Sequence, residues 1–440
     1  MSRMAIYSPD FKAEPFWWDG RDASIAESAG PWPAKADVVI IGAGVTGVEA
    51  ARVLAENGRH VVVIDAGNPG EGASSRNAGQ IGRNFKHPYS ELKSSYGIEV
   101  ARSFFRELQQ AYDHVKNAGE HDPAAFGWRE CGRVIGAMTP HAFDLLCGKY
   151  ELRAGEIGEH VEILSLRDMH HEMGSGLYRG GIRLPFNGSI QPARYHRYLM
   201  NAALRAGAQI CANTPVTSIC RQGDDFIVKG AMGDIRCRQV MVATNGYSGP
   251  AIPWIQKRLL PITSYMIATE ELSDDAMARV LPSLRTYHDN RRRSHFFTVP
   301  PGGNRILMGG RTGSLYRHLP SILAELHGDL THIFPQLEGV RLSHGWEGRC
   351  SAPRDLFPRF GEDRGMFYAL GYSFSGMAMG PYLARKTAAL MLGDKVGAES
   401  LFARPSFPVI PRLARGPWTV AAITGWYGWA DRPSGMGRRM

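Results

Sequence analysis

Ala36-Asp-Val-Val-Ile-Ile-Gly-Ala-Gly-Val-Thr-Gly47, followed by a short helix-forming stretch and then His60-Val-Val-Val-Ile-Asp65, decides the fold. Val38 to Ile41 is an apolar, β-branched run without polar alternation, the pattern of a parallel strand buried on both faces. It breaks at Gly42. Gly42, Gly44 and Gly47 stand in the G-x-G-x-x-G spacing. The first glycine permits a tight turn, the second lets backbone approach a pyrophosphate, and the third lets the helix lie close on the strand. Val45 to Asn57 reads as that helix, with Gly47, Ala51, Leu54 and Ala55 on one face and Gly58 ending it. Val61 to Ile64 is a second buried strand. Its last residue, Asp65, stands about 20 residues beyond the glycines, where a carboxylate accepts from ribose hydroxyls. Strand, turn, helix and acid occur together, which predicts a nucleotide-binding βαβ unit rather than an ordinary glycine turn.

Around that unit, 440 residues exceed one core of ordinary size and predict two closely packed domains. No window approaches 18 uninterrupted apolar residues, and the N-terminus lacks a basic stretch followed by an apolar core. The chain therefore reads as cytoplasmic. Its six cysteines are scattered without a C-x-x-C pair, and its fifteen histidines include no H-E-x-x-H, so no metal site is expected. A net charge of +9 permits nucleic acid, an anionic membrane or an acidic substrate. Arg291-Arg292-Arg293, the densest basic run, reads as a solvated loop. With no recognised nucleic-acid module beside it, no nucleic-acid partner is expected.

Residues 1–33 are rich in Pro, Trp and charge without a period, and read as an arm that packs on the body through Phe16, Trp17 and Trp18. Gly72 to Gln80 is a small-residue loop dense in donors. A loop leaving the strand that ends at Asp65 emerges at the carboxyl edge of the sheet, where nucleotides sit, so Ser74, Ser75, Arg76, Asn77 and Gln80 are expected to point toward a cofactor. Residues 91–116 and 141–157 read as helices, as does the run from Pro192 ended by Gly207. Short strands follow to Cys237, and Gln239 to Ala243 is again a buried run. Leu260 to Glu270, Ser294 to Val299, Asn304 to Gly309 and Val340 to Glu347 read as strands. Residues 320–334 read as a helix. After the strand at Gly365 to Gly371, a helix opens near Met377; its N-terminus presents unpaired N–H groups and a positive partial charge.

Taken together, Gly42-Ala-Gly-Val-Thr-Gly47, Asp65 and Ser75-Arg-Asn-Ala-Gly-Gln80 resemble the FAD-dependent oxidoreductases of the D-amino acid oxidase superfamily. Within it they are most similar to the gamma-glutamylputrescine oxidase and L-pipecolate oxidase-like branch. The resemblance implies an α/β, two-domain chain: a Rossmann-like FAD-binding domain of the glutathione-reductase-2 type from residues 34–90, 186–260 and 351–397, and an antiparallel-sheet substrate domain from residues 91–185 and 261–350. Residues 398–440 would form a tail packed on the body. FAD, held without a covalent bond, would meet Val45, Thr46, Ala66, Ile81, Val216, Ala243, Thr244, Asn245 and Gly371 besides the motif residues. Gly376 and Met377 would face the flavin pyrimidine, where a helix N-terminus stabilises an anionic reduced ring.

The same resemblance implies oxidation of a primary or secondary amine to an imine by hydride transfer to flavin N5, then hydrolysis. Electrons would go to O2, giving hydrogen peroxide, or to a quinone or other acceptor. The cofactor carries that step, so no dedicated base is required. Arg83 and Arg311 fall where sarcosine oxidase-like relatives place flavin- or substrate-facing side chains, although each also reads as an ordinary ion pair. Tyr265, Trp346, Tyr372 and Phe374 would line an aromatic cage for the amine, or be plain core.

Three departures matter. Leu307 lies where those relatives carry a lysine beside the flavin, Ala378 where they carry a carboxylate-binding lysine, and Glu347, three residues before Cys350, where covalent relatives attach flavin. The leucine at 307 weighs against fast use of oxygen, the alanine at 378 favours an amine with its acid remote from the nitrogen over an α-amino acid, and the glutamate at 347 implies FAD held without a covalent bond. Trp418 to Trp429 reads either as a docked terminal helix or as a peripheral contact with the inner membrane. An RNA-modifying flavoenzyme is the alternative that the basic charge permits. Substrate identity and oligomeric state do not follow from the sequence.

Overall fold

The computed structural model describes residues 6–19, 32–313, 318–404 and 406–430. Five parallel strands form the centre of the first sheet, in the order Gln209–Cys211, Val61–Ile64, Lys35–Ile41, Gly233–Val242 and Met366–Leu370. Val38 lies opposite Val61 and Ile41 opposite Ile64, so the glycine turn and Asp65 leave the sheet side by side at its carboxyl edge. The apolar runs are buried on both faces because side chains alternate. Val38, Ile40, Val61 and Val63 meet the helices, while Val39, Ile41, Val62 and Ile64 meet a second core with Phe226, Val228 and Tyr368. Val216–Gln222 and Asp225–Gly230 extend the sheet as an antiparallel meander, and Arg359–Asp363 pairs antiparallel with Met366–Leu370.

Glycine is required at the turn for two separate reasons. Gly42 has φ +103°, and a Cβ on Gly47 would stand 1.9 Å from the carbonyl oxygen of Gly42. Helix Val45–Glu56 therefore lies directly on the turn. Helix Gly376–Leu392 packs against that helix at Gly380, where a Cβ would meet Thr46 Oγ1 at 2.9 Å.

The second sheet has nine strands, its longest pair, Leu259–Thr269 and Leu342–Pro353, standing next to one edge, with helix Leu319–Ile333 packed on its outer face. It is mainly antiparallel. Two of its neighbouring pairs run parallel, Thr286–Asp289 with Arg133–Ala137 and Tyr7–Lys12 with Leu342–Pro353. The N-terminal residues thus contribute an edge strand, which the sequence reading, finding no period there, does not give. Helices at Pro140–Ile157 and Pro192–Arg205 fall where patterning places them, while the run read as one helix over 91–116 is two, Tyr89–Tyr96 and Ile98–His121, divided at Gly97 with φ +83°. No described helix is long and apolar enough to cross a membrane.

Candidate active site

A cavity of about 1730 Å³ opens between the two sheets. Its first end is built by the glycine turn. Asp65 Oδ2 accepts from the Ala43 N–H at 2.7 Å and Oδ1 from the Gly67 N–H at 3.0 Å, so the carboxylate fixes both loops that leave the strands. Burial pushes its pKa up, against the lowering effect of those N–H donors. Asp65, Gly42, Gly44, Val45, Thr46 and Ala66 line the cavity, joined by Val216, Ala243, Thr244 and Asn245 from the neighbouring crossings. Gly47 lies behind the turn in the helix, where it serves close packing.

The donor-rich loop is held differently from the sequence expectation. Ser74, Arg76, Asn77 and Gln80 line the cavity, while Ser75 and Ile81 are turned into the protein. Most of the polar groups fasten the loop itself. Ser74 Oγ accepts from the Val45 N–H at 3.0 Å, Ser75 Oγ from Trp18 Nε1 at 2.9 Å, and Asn77 Nδ2 donates to the Ala73 carbonyl at 2.9 Å. Arg76 donates to the carbonyls of Glu71 and Glu347, and Gln80 Nε2 to the Phe297 carbonyl. The reason is elementary: helix starts and loops leave backbone groups without partners, and buried side chains are recruited to satisfy them. Trp17 joins in, donating to the Asn77 carbonyl at 2.7 Å, so the arm does pack on the body through its tryptophans.

At the inner end, Gly371, Ser373 and Phe374 have positive φ of 81°, 48° and 77°, a costly conformation for a bulky residue. That turn leaves the Phe374 ring 43 % exposed on the cavity wall and starts helix Gly376–Leu392, whose residues Gly376, Met377 and Ala378 line the cavity. The first N–H groups of a helix have no intrahelical partner. Gly371 itself lies outside the lining; its N–H donates to Asn245 Oδ1 at 3.0 Å and so ties the two crossings together. Tyr372 is spent on structure. Its hydroxyl bonds Thr46 Oγ1 at 2.9 Å and donates to the Ala369 carbonyl at 2.9 Å, and burial keeps the phenol protonated.

The roof is the inner face of the second sheet, where Leu260, Ile262, Ser264 and Met266 alternate with outward-facing neighbours. Tyr265 is one of those neighbours. It is 4 % exposed in the outer core and does not reach the cavity. Trp346 is likewise buried, donating to the Arg76 carbonyl at 2.9 Å, and Leu307 packs against it with Trp17. The expected cage therefore reduces to Phe374 with Tyr372 at its edge, and Phe296, not expected there, joins the lining.

Both expected arginines line the cavity, and both are engaged. Arg83 NH2 bonds Glu159 at 2.7 Å, and the same carboxylate pairs with Arg153. Arg311, at φ +52°, is gripped bidentately by Asp329 at 2.7 and 2.6 Å and by Glu325 at 3.0 Å. The basic run is a loop solvated only in part: Arg292 is exposed, Arg291 pairs with buried Asp289, and Arg292 and Arg293 line the cavity.

Sequence reasoning passed over Lys86 and His288 and gave the C-terminal helix no place at the cavity. Lys86 enters the cavity with its ammonium 4.8 Å from the Phe374 ring. His288 is held neutral by burial and by Arg133, its pKa pushed down to about 3, and bonds Gln80 at 2.5 Å. Cys350 also lines the wall, its thiol pushed up to about 12 by burial. Helix Pro417–Ala430 closes one side through Thr419, Val420, Ile423 and Thr424 while leaving Trp418 and Trp426 more than half exposed. Only the cysteine and the helix carried a signal in the sequence.

The donor set fits FAD at the first end. Among the described residues Asp65 has no cationic partner, its two oxygens are held by N–H groups, and its open side faces the cavity beside a glycine turn and a helix N-terminus. The cavity also exceeds the ordinary range of a single small-ligand pocket, about 300–1000 Å³, and has room for a dinucleotide and a substrate together.

The family model described as DAO, FAD dependent oxidoreductase, matches residues 37–390. A probable oxidoreductase OrdL of Rhizobium meliloti is 29% identical over 91% of this chain and 94% of its own, and the gamma-glutamylputrescine oxidoreductase of Escherichia coli is 27% identical over 90% and 93%. Among solved structures, glycine oxidase from Geobacillus kaustophilus superposes with a TM-score of 0.71 at 22% identity, covering 86% of this chain and all of that one. Fold, cavity and match agree: the chain belongs to the FAD-dependent oxidoreductases of the DAO family.

Proposed function

We propose that the protein oxidises a primary or secondary amine to an imine, which water then hydrolyses to an aldehyde or keto product. When bound, FAD supplies the hydride acceptor. The observation that carries the reading is the convergence of two helix N-termini, at Val45 and at Gly376, on one cavity in which, among the described residues, the lining acids are Asp65 and Glu71 beside the first helix. The relatives' names, gamma-glutamylputrescine oxidoreductase and glycine oxidase, support an amine as the substrate.

In this reading the glycine turn, Asp65 and the Ser74-capped helix bind the ADP half. Gly376, Met377 and Ala378 present N–H groups to the pyrimidine end, favouring negative charge there without reorganisation. Met266, Phe296 and Phe374 make an apolar seat that orients the substrate C–H and excludes water. Neutral His288 adds no charge to compete with the amine. FAD is held non-covalently, because a Cys350 thiol with its pKa near 12 offers almost no thiolate at neutral pH. Oxygen is the preferred acceptor. A second reading, transfer to a membrane quinone, is favoured by the exposed tryptophans of helix Pro417–Ala430.

Anaerobic mixing of the holoprotein with a panel of amines and amino acids tests the proposal. Bleaching of the visible flavin band by at least one amine supports it. Bound FAD that no amine reduces, but a chemical reductant does, contradicts it.

A further inference from the structure

Three tryptophans grip three consecutive residues of the donor-rich loop. Trp18 Nε1 donates to Ser75 Oγ at 2.9 Å, Trp346 Nε1 to the Arg76 carbonyl at 2.9 Å and Trp17 Nε1 to the Asn77 carbonyl at 2.7 Å. The Trp18 ring also lies 4.9 Å from the Arg76 guanidinium, a distance at which a cation is attracted to the face of an indole. None of the three rings lines the cavity, whereas the loop they hold does so through Ser74, Arg76, Asn77 and Gln80.

Two of the three belong to the N-terminal arm, and that arm is anchored on the roof. Tyr7–Lys12 runs parallel to Leu342–Pro353 at the edge of the second sheet, Phe16 packs edge-on to His344 with ring centroids 5.4 Å apart, and Lys12 pairs with Asp19 across the three aromatic residues between them. Trp17 is 1 % exposed, in one cluster with Met266 and Trp346, and its carbonyl accepts from Gln191 Nε2 at 2.9 Å. Met266 is itself part of the cavity roof. The arm therefore reaches from the sheet above the cavity to the loop beside it. That loop needs an outside hold, because helix Ala73–Arg76 has four residues and an isolated helix under about 12 is marginal in water.

Resting on the reading that this loop faces FAD, we infer that Trp18 and Trp17 are positioning residues for the cofactor: the arm straps the loop to the roof at Ser75 and Asn77, and so sets how long FAD is held without touching it. The physical route is preorganisation. A loop already fixed in its bound shape loses less conformational freedom when the ligand enters, and that difference appears as affinity.

The test is the rate at which the FAD-loaded full-length protein releases flavin on dilution, read by the rise in flavin fluorescence, in Trp18→Phe, Ser75→Ala, their double variant and Trp18→Leu. Circular dichroism verifies that each is folded. Loss of one hydrogen bond speeds release roughly 3- to 10-fold in Trp18→Phe. Ser75→Ala matches it, and the double variant is no faster than either single, because both changes remove the same bond. Trp18→Leu, which also takes the ring from Arg76, releases FAD about 10-fold faster or more. Release from Trp18→Leu within about twofold of wild type, or single effects that add in the double variant, overturns the inference. If Trp18→Leu does not fold, the cycle of Trp18→Phe and Ser75→Ala decides alone. Faster release in Asp65→Asn with no change in the Trp18 variants removes the strap and leaves the cofactor site in place, whereas release indifferent to every one of these variants removes the site as well.

Discussion

Asp65→Asn isolates the contribution of the carboxylate at the end of the second strand. The aspartate accepts from Ala43 N–H at 2.7 Å through one oxygen and from Gly67 N–H at 3.0 Å through the other. An amide of the same shape keeps one acceptor and turns an NH2 toward the second donor, so one loop is released and the remaining bonds lose their charge. A hydrogen bond to a charged group is worth about 1.5–3 kcal/mol, and each 1.4 kcal/mol is about tenfold in affinity. If that contribution is expressed in ligand binding, the FAD dissociation constant rises by roughly 10- to 100-fold. Titration of apoprotein with FAD, read by quenching of flavin fluorescence, gives the number, and circular dichroism checks that the variant is folded. A folded variant whose affinity changes by less than about threefold, under 1 kcal/mol, refutes the reasoning.

Other consequences are equally direct. Burial works against charge on His295, but its hydrogen bonds to Asp289 and Asp329 prevail and raise its pKa. That contribution to stability is complete below the unfolded value near pH 6.5 and is lost as pH rises through the higher folded value. Thermal unfolding should therefore show a decline above about pH 6.5 that His295→Gln flattens; an unchanged slope in the variant would dismiss the network. Acid precipitation should release all flavin into the supernatant, and Cys350→Ser should leave that result and FAD content unaltered; yellow pellets in wild type alone would mean a covalent bond. Helix Pro417–Ala430, with 14 residues, is about 21 Å long and cannot span a bilayer of about 30 Å, but its exposed Trp418 and Trp426 suit an interface. The membrane reading requires co-sedimentation with anionic vesicles that Trp418→Ser and Trp426→Ser together weaken. Peroxide formation matching amine consumption without any vesicle binding would leave oxygen as the acceptor.

The βαβ unit was legible because everything that specifies it is local. Val38 to Ile41, the three glycines and Asp65 carry their own geometry, and one residue, Gly47, admits no side chain at all. The face of Tyr265 was not legible, because alternation along Leu259–Thr269 says that neighbours diverge but not which set faces inward. Arg83 and Arg311 were recognised as cavity residues, yet their partners Glu159 and Asp329 lie 76 and 18 positions away. Whether such a charge serves a ligand or the protein depends on those contacts. Ser75 and Asn77 illustrate the same limit: a donor-rich loop announces hydrogen bonds, and the fold assigned many of them to its own backbone and to Trp18. Lys86 gave no signal, since what directs it to the cavity is the packing of its neighbours, Phe85 against Phe402 and His87 against Phe357.

If the glycine turn and Asp65 grip the ADP half of the cofactor, as proposed above, FAD and FMN must bind with very different affinities. FMN carries the same ring and lacks the adenosine diphosphate portion. Apoprotein should take up FAD at one per chain and bind FMN at least ~100-fold more weakly, the equivalent of about 3 kcal/mol held at the turn. FMN binding as tight as FAD, in a correctly folded protein, would contradict the account.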